Sequence, residues 1–195
     1  DRFSMGRPTG VDLPGEKGAL LPSDEWKRKV QKQPWFAGDS LSAGIGQGYF
    51  LATPLQLAHS TAVISQQGKA FKPRVLYATE HPGTRVKTLE PPRLLPPVTL
   101  KNPRFWDAVI AGMIHVVEGG TAHKIGAGAK YRIAGKTGTA QVFTLGQGQR
   151  YNAKRLAKHL LDHALFIAFA PVEEPRIAVA VIAEHGGGGS STAAP

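Results

Sequence analysis

Two apolar runs in the last quarter of the chain constrain the fold most strongly. Residues 164–170 and 176–183 are rich in alanine, valine, isoleucine and phenylalanine, and the segment 171–175 (Pro-Val-Glu-Glu-Pro) separates them. Two such runs joined by a short, proline-bounded turn predict an antiparallel hairpin. Residues 131–143 also have the composition of a strand. The sequence therefore predicts an antiparallel sheet in this part of the chain.

Helix start signals precede this sheet. Thr53, Pro54 and Gln56 provide a capping residue, a proline at the first helical position and a capping-box partner, and Gly68 provides a stop, so we expect a helix over 54–67. Asn102-Pro103 marks a second start, and a basic helix is predicted over 153–161. Helices against an antiparallel sheet give the class α+β. The predicted buried face of the second helix is Phe105, Val109, Ile110, Met113 and Val117.

The first 40 residues carry glycine, proline and charge without sustained periodicity. They predict an ordered loop with short elements, in which Trp26, Trp35 and Phe36 are buried. The run Lys27-Arg28-Lys29 is expected to form a solvated face. Residues 77–100 are expected to be a weakly patterned connector.

Composition excludes several classes of function. The chain has 195 residues and no cysteine, which excludes a disulfide scaffold, a thiolate nucleophile and a cysteine-ligated metal within it. Its longest apolar runs, 164–170 and 177–183, are far shorter than the ~20 residues that span a bilayer. A net charge of +10 predicts attraction to anionic partners, among which nucleic acid, lipid headgroups and acidic polymers all remain open.

Lys136-Thr137-Gly138 is the candidate site motif. On a strand, Lys136 offers a fixed cation and Thr137 a hydroxyl donor, which together suit a carboxylate, and Gly138 leaves room for a peptide laid along the strand. The backbone N–H of Thr139 is then placed to face a developing oxyanion. A phosphate-binding loop ending in Gly135-Lys136-Thr137 is excluded, because that pattern requires glycine where Lys130 stands.

The order of several motifs resembles the transpeptidase domain of class B penicillin-binding proteins. The Gly38-Asp39 pair followed by Gly-Ile-Gly-Gln-Gly at 44–48 resembles the elongation-type (penicillin-binding protein 2) subgroup. The resemblance covers nearly the whole chain. The matching segments are 3–16, 38–39, 44–48, 53–58, 120–122, 136–141 and 166–171.

This resemblance implies the penicillin-binding-protein/serine β-lactamase-like fold, an antiparallel sheet flanked by helices. It also implies a serine D,D-transpeptidase that cross-links peptidoglycan stem peptides and is acylated by β-lactams. By position, Lys136 and Thr137 would bind the substrate carboxylate, Gly138 would give clearance, and the Thr139 N–H would complete the oxyanion hole. The implied partners are stem peptides, β-lactams and a membrane glycosyltransferase, at the periplasmic face of the bacterial inner membrane.

One departure from the family is large. The family carries Ser-x-x-Lys and Ser-x-Asn motifs as well as Lys-Thr-Gly, and no serine of this chain is followed by Lys three residues on or Asn two residues on. We therefore expect residues 1–195 to be the C-terminal portion of one transpeptidase domain, incomplete in this chain. The nucleophile half and a membrane anchor are expected upstream, and a terminal helix downstream.

The histidines do not predict a metal site. His159 and His163 stand four residues apart, but they lack the intervening Glu of zinc proteases. We expect no metal or cofactor in this segment; the family resemblance allows a structural zinc upstream. Two alternatives to the enzyme stay open. One is a non-catalytic relative of the same fold that senses β-lactams or scaffolds a complex, and the other is a basic nucleic-acid-binding domain.

Overall fold

The computed structural model describes residues 2–142 and 156–195. Within them, three helices, four short strands and two further helices precede a three-stranded sheet. The helices are α1 (Asp24–Gln31), α2 (Ala37–Gly44), α3 (Pro54–Ser65), α4 (Arg104–Glu118) and α5 (His123–Gly126). The strands are β1 (Ala70–Phe71), β2 (Ala78–Glu80), β3 (Lys87–Leu89), β4 (Leu94–Leu95), β5 (Ala134–Ala140), β6 (His163–Ala170) and β7 (Ile177–Ala183).

The three-stranded sheet has the order β5-β6-β7, and both pairings are antiparallel. Strand β5 pairs with β6 in a register that places Lys136 opposite Ile167 and Thr139 opposite Ala164. The predicted hairpin is therefore confirmed, as is the α+β class. Within the described residues β5 is an edge strand, because β6 is its one partner.

Each face of this sheet has its own apolar cluster. On one face, Ala134 and Phe169 pack with Met113 and Ile114 of α4. On the other, Phe166 and Ala168 pack with Val117, Ala122 and Ala193. Directly paired residues share a face of an antiparallel sheet, so the two clusters alternate along β6. This packing fixes β5 between α4 and the C-terminal residues.

Helix α3 begins as its sequence predicts. The Thr53 hydroxyl accepts a hydrogen bond from the Gln56 backbone N–H at 3.1 Å, and the Gln56 side chain accepts one from the Thr53 N–H at 2.8 Å. Gln56 is fully buried, and its Nε2 lies within 2.9 Å of the carbonyl oxygens of Ser4, Arg7 and Gly18. One residue thus caps α3 and ties the preceding loop to it.

The predicted buried face of α4 is partly wrong. Phe105 and Val109 are exposed, whereas Trp106, Met113, Ile114 and Val117 are buried. The indole of Trp106 fills a cluster with Val63, Ala70 and Val98. Because this contact places Trp106 in the interior, the buried face of α4 includes residue 106 rather than residue 105.

The first 40 residues form short elements, as expected, but the predicted burial of Phe36 and exposure of Lys27 are wrong. Residues 24–31 and 37–44 are helical, Phe36 is exposed, and Trp26 and Trp35 are only half-buried. Lys27, expected in solvent, is only 3% exposed. Its ammonium lies 2.5 Å from an Asp39 carboxylate oxygen and 4.5 Å from the centre of the Phe36 ring. An ion pair and an aromatic face replace the water that this charge loses.

Two further expectations need correction. Residues 77–100 contain an antiparallel β2–β3 hairpin, and β4 pairs with β1, so the segment is more than a connector. Residues 153–155 of the predicted basic helix lie outside the described residues, and Lys158–Leu160 form a 3₁₀ turn that leads into β6. Across residues 2–142 and 156–195, no helix is long and apolar enough to cross a membrane.

Candidate functional site

The Lys-Thr-Gly motif lies in the middle of the edge strand β5. Lys136 is exposed, and its Nζ donates a hydrogen bond to the Thr137 carbonyl oxygen at 2.7 Å. The ammonium is therefore held beside the backbone of the edge strand. An anionic group arriving at this strand meets a fixed cation, as the sequence predicts for a carboxylate.

The Thr137 hydroxyl is oriented by a second hydroxyl. Its Oγ1 lies 3.0 Å from Oγ1 of Thr121, which stands between α4 and α5. A hydroxyl has one proton to donate and two lone pairs. When Thr121 donates to Thr137, the proton of Thr137 stays available for an incoming carboxylate.

The backbone of Thr139 faces outward, away from β6. Its carbonyl oxygen accepts a hydrogen bond from Nε2 of Gln47 at 3.0 Å. The N–H and C=O of one residue in an antiparallel strand point to the same side. The Thr139 N–H therefore also faces the free edge, and so do the N–H and C=O of Thr137. Thr139 therefore presents one backbone donor at this edge.

Gly138 lies where a larger residue would crowd the neighbouring strand β6. A Cβ at Gly138 would stand 3.2 Å from the Cβ of Leu165, its partner on β6. Gly189, which opens the π-helical turn Gly189–Ala193, packs directly on this pair. A Cβ at Gly189 would lie 2.4 Å from the carbonyl oxygens of both Gly138 and Leu165. The motif strand is thus packed from behind by backbone.

The loop that carries Gln47 is anchored to α1 and α2. The Gln47 N–H donates to the Ser42 carbonyl at 2.8 Å, at the end of α2. Asp39 of α2 pairs with Lys27 of α1, and the hydrogen bond from Lys27, with a further one from the Phe36 N–H, lowers the pKa of the Asp39 carboxyl. Asp39 therefore stays charged and keeps the two helices joined.

The sequence does not predict two of these residues, Gln47 and Thr121, as site residues. The contact between Gln47 and Thr139 joins positions 92 residues apart, so no local pattern reveals it. The sequence did hold one signal: both residues lie inside segments that matched the family in order.

The histidines are arranged differently from a metal site. His163 opens β6 and His159 lies in the 3₁₀ turn, so they do not share a helix. The His163 Nδ1 accepts a hydrogen bond from the His185 N–H at 2.9 Å, and the two rings are 4.8 Å apart. Within the described parts of the chain, no three His, Cys, Asp or Glu side chains come together as metal ligands.

Comparison with known proteins gives concordant matches. The family model described as "Penicillin binding protein transpeptidase domain" matches residues 1–195. The peptidoglycan D,D-transpeptidase MrdA of Haemophilus influenzae is 46% identical over 195 residues, which are 99% of this chain and 30% of that protein. The chain thus spans less than a third of this relative.

Solved structures agree with this match. The crystal structure of Pseudomonas aeruginosa PBP2 in complex with WCK 5153 is 41% identical, with a TM-score of 0.76 over 97% of this chain and 39% of that one. The complex of PBP2 and MreC from Helicobacter pylori contains a chain that is 34% identical, with a TM-score of 0.78 over 97% of this chain and 31% of that one. The implied fold is therefore confirmed.

Proposed function

This chain belongs to the penicillin-binding protein transpeptidase domain family, and we propose that the protein containing it is a peptidoglycan D,D-transpeptidase that acts in cell elongation. The observation that carries the proposal is the edge strand β5. On it, the Lys136 ammonium lies beside the Thr137 carbonyl, the Thr137 hydroxyl is held by that of Thr121, and the Thr139 backbone faces the open edge.

In this function, the edge of β5 binds the acyl donor as an added strand. Main-chain hydrogen bonds hold an extended peptide along such an edge. Lys136 and Thr137 bind the terminal carboxylate of a D-Ala-D-Ala stem peptide. The Thr139 N–H donates to the carbonyl oxygen that gains negative charge when the serine attacks.

The covalent steps require a serine from the upstream part of the protein. Its oxygen bonds to the penultimate D-Ala carbonyl carbon, the peptide C–N bond breaks, and the terminal D-Ala leaves after its nitrogen takes up a proton. An amine of a neighbouring stem peptide then attacks the ester and releases the serine with its proton restored. A β-lactam enters the same first step, with its ring amide as the bond that breaks.

The proposal extends to the rest of the protein. Residues 1–195 form the C-terminal portion of a single transpeptidase domain, with the nucleophile half and a membrane anchor upstream and a terminal helix downstream. The protein acts at the periplasmic face of the inner membrane beside a membrane glycosyltransferase. The relative from Helicobacter pylori, solved as a complex with MreC, supports assembly with other proteins.

Labelling of the intact protein with a fluorescent penicillin tests the proposal. We expect one covalent label per molecule, blocked by unlabelled penicillin and slowed by Lys136→Ala. Incubation with stem-peptide donor and acceptor should then yield cross-linked product. Absence of labelling would refute the proposal. Labelling without cross-linking would instead support the non-catalytic β-lactam sensor of the same fold.

A further inference from the structure

Gln47 contacts the site strand from a distant part of the chain. Its Nε2 donates to the Thr139 carbonyl oxygen at 3.0 Å, across 92 residues of sequence. Strand β5 ends one residue later, at Ala140. Within the described residues, β6 holds one side of β5 and no strand holds the other. The Gln47 side chain therefore restrains the outer side of β5 at the end where Thr139 lies.

The loop around Gln47 is built to present this side chain. Gly46 and Gly48 have φ angles of 74° and 70°, the left-handed region that glycine adopts without strain. The Gln47 N–H is fixed by the Ser42 carbonyl, and a Cβ at Gly48 would stand 3.3 Å from the Ser42 Cβ. Because the backbone is set by these contacts, the amide reaches Thr139 from an ordered position.

The proposed chemistry depends on the orientation of Thr139, whose carbonyl oxygen Gln47 holds. The Thr139 carbonyl and N–H face the same side of β5, so fixing the carbonyl restricts the orientation of the whole residue. An oxyanion-hole donor works only when it is aimed at the place where charge develops. At the end of a strand that has one neighbouring strand, few inter-strand hydrogen bonds fix the direction of such an N–H.

We propose, on the basis of the transpeptidase function above, that Gln47 is a positioning residue for acylation, which aims the Thr139 N–H at the oxyanion by holding the Thr139 carbonyl. A donor peptide paired with β5 also directs an N–H at this carbonyl, whose oxygen has two lone pairs and accepts both bonds. Loss of Gln47 should therefore slow the acylation step more than it weakens the initial binding.

Gln47→Glu in the intact protein is the test, with Gln33→Glu as the matched control. Gln33 is exposed and takes the same charge change in the same part of the chain. Time-resolved labelling over a series of fluorescent penicillin concentrations separates the noncovalent Kd from the acylation rate constant. We expect Gln47→Glu to lower the rate constant by roughly ten- to a hundredfold, with a much smaller change in Kd.

The pH dependence of the acylation rate distinguishes positioning from a purely structural role, because a structural role alone would not produce it. A glutamate carboxylate has no proton to donate and is repelled by the Thr139 oxygen, whereas the protonated acid donates again. The ratio of Gln47→Glu to wild-type rate should therefore rise toward one as the pH falls below about 4.3, the ordinary pKa of glutamate. Gln33→Glu should keep a ratio near one at every pH.

Each other outcome overturns the inference. A Gln47→Glu rate equal to that of the wild type at neutral pH removes Gln47 from the positioning role. A loss that persists at low pH, or that tracks a lower midpoint of urea unfolding, assigns Gln47 to folding alone. A wild-type protein that takes no label refutes the transpeptidase function itself, which is a separate result.

Discussion

Replacing Gly189 with alanine should disturb the site strand from behind. The new Cβ would lie 2.4 Å from the carbonyl oxygens of both Gly138 and Leu165, and 3.0 Å is the approach below which real Cβ atoms are essentially never found. Both oxygens are backbone atoms of paired strands and cannot rotate away. The turn Gly189–Ala193 must therefore move off β5 and β6 by about 0.6 Å, the difference between those two distances.

This displacement has two measurable costs. Overpacking in a well-packed interior typically costs about 1–3 kcal/mol of the free energy of unfolding. In addition, the Gly138 carbonyl and the Thr139 N–H belong to one planar peptide group, so a push on the oxygen tilts the N–H. Because a misplacement of ~1 Å can cost on the order of 10²-fold in rate, we expect β-lactam acylation to slow by roughly tenfold.

The assay pairs urea unfolding with time-resolved penicillin labelling of the intact protein. Gly188→Ala is the control, since it adds the same methyl one residue away at a φ of −108° and meets only the rotatable Ser191 hydroxyl at 3.0 Å. It should change neither quantity appreciably. The reasoning is refuted if Gly189→Ala unfolds and acylates like the Gly188→Ala protein.

Three other predictions concern single side chains. Lys136→Ala should slow β-lactam acylation by roughly ten- to a hundredfold, the worth of one charge-assisted hydrogen bond, whereas Lys130→Ala should leave the labelling rate unchanged. Gln56→Leu should lower the free energy of unfolding by about 3–6 kcal/mol by leaving buried backbone groups unpaired, and urea titration against the exposed Gln66→Leu control checks this. Burial lowers the pKa of His59 below its ordinary 6.5, against the Phe71 carbonyl and Glu16, which raise it. As the pH falls, the His59 imidazole is therefore protonated more readily in the unfolded chain than in the folded one. The free energy of unfolding should fall as the pH drops through about 6.5, and His59→Gln should remove that part of the pH dependence.

Short sequence motifs correctly predict the helix and the strands whose ends depend on residues close together in the sequence. The capping box at Thr53 and Gln56 lies within one turn of helix, and the β6–β7 hairpin depends on a short turn between two apolar runs. The Lys-Thr-Gly strand is predicted in the same way, and the family resemblance implies the roles proposed for its residues. The three-strand order then follows from chain proximity.

The features that were missed depend on contacts between distant segments. Lys27 is buried because Asp39, Phe36 and Tyr49 surround its ammonium, and a basic run by itself indicates only a charged surface. The rotation of α4 depends on where Trp106 finds a cavity among residues of α3 and the β1–β4 region. Likewise, the reach of Gln47 to Thr139 is visible only after the fold has formed.

The edge of β5 that has no partner strand in the described part of the chain also has a consequence for solubility. An edge that accepts a peptide as an added strand can equally accept the edge of another protein molecule, which is the first step of β-aggregation. Apart from Lys136, β5 consists of alanine, glycine and threonine, with no bulk or other charge to prevent such pairing. The Lys136 ammonium thus also disfavours this pairing, because two copies brought edge to edge would place like charges close together. The side chain proposed to bind the carboxylate therefore also opposes self-association.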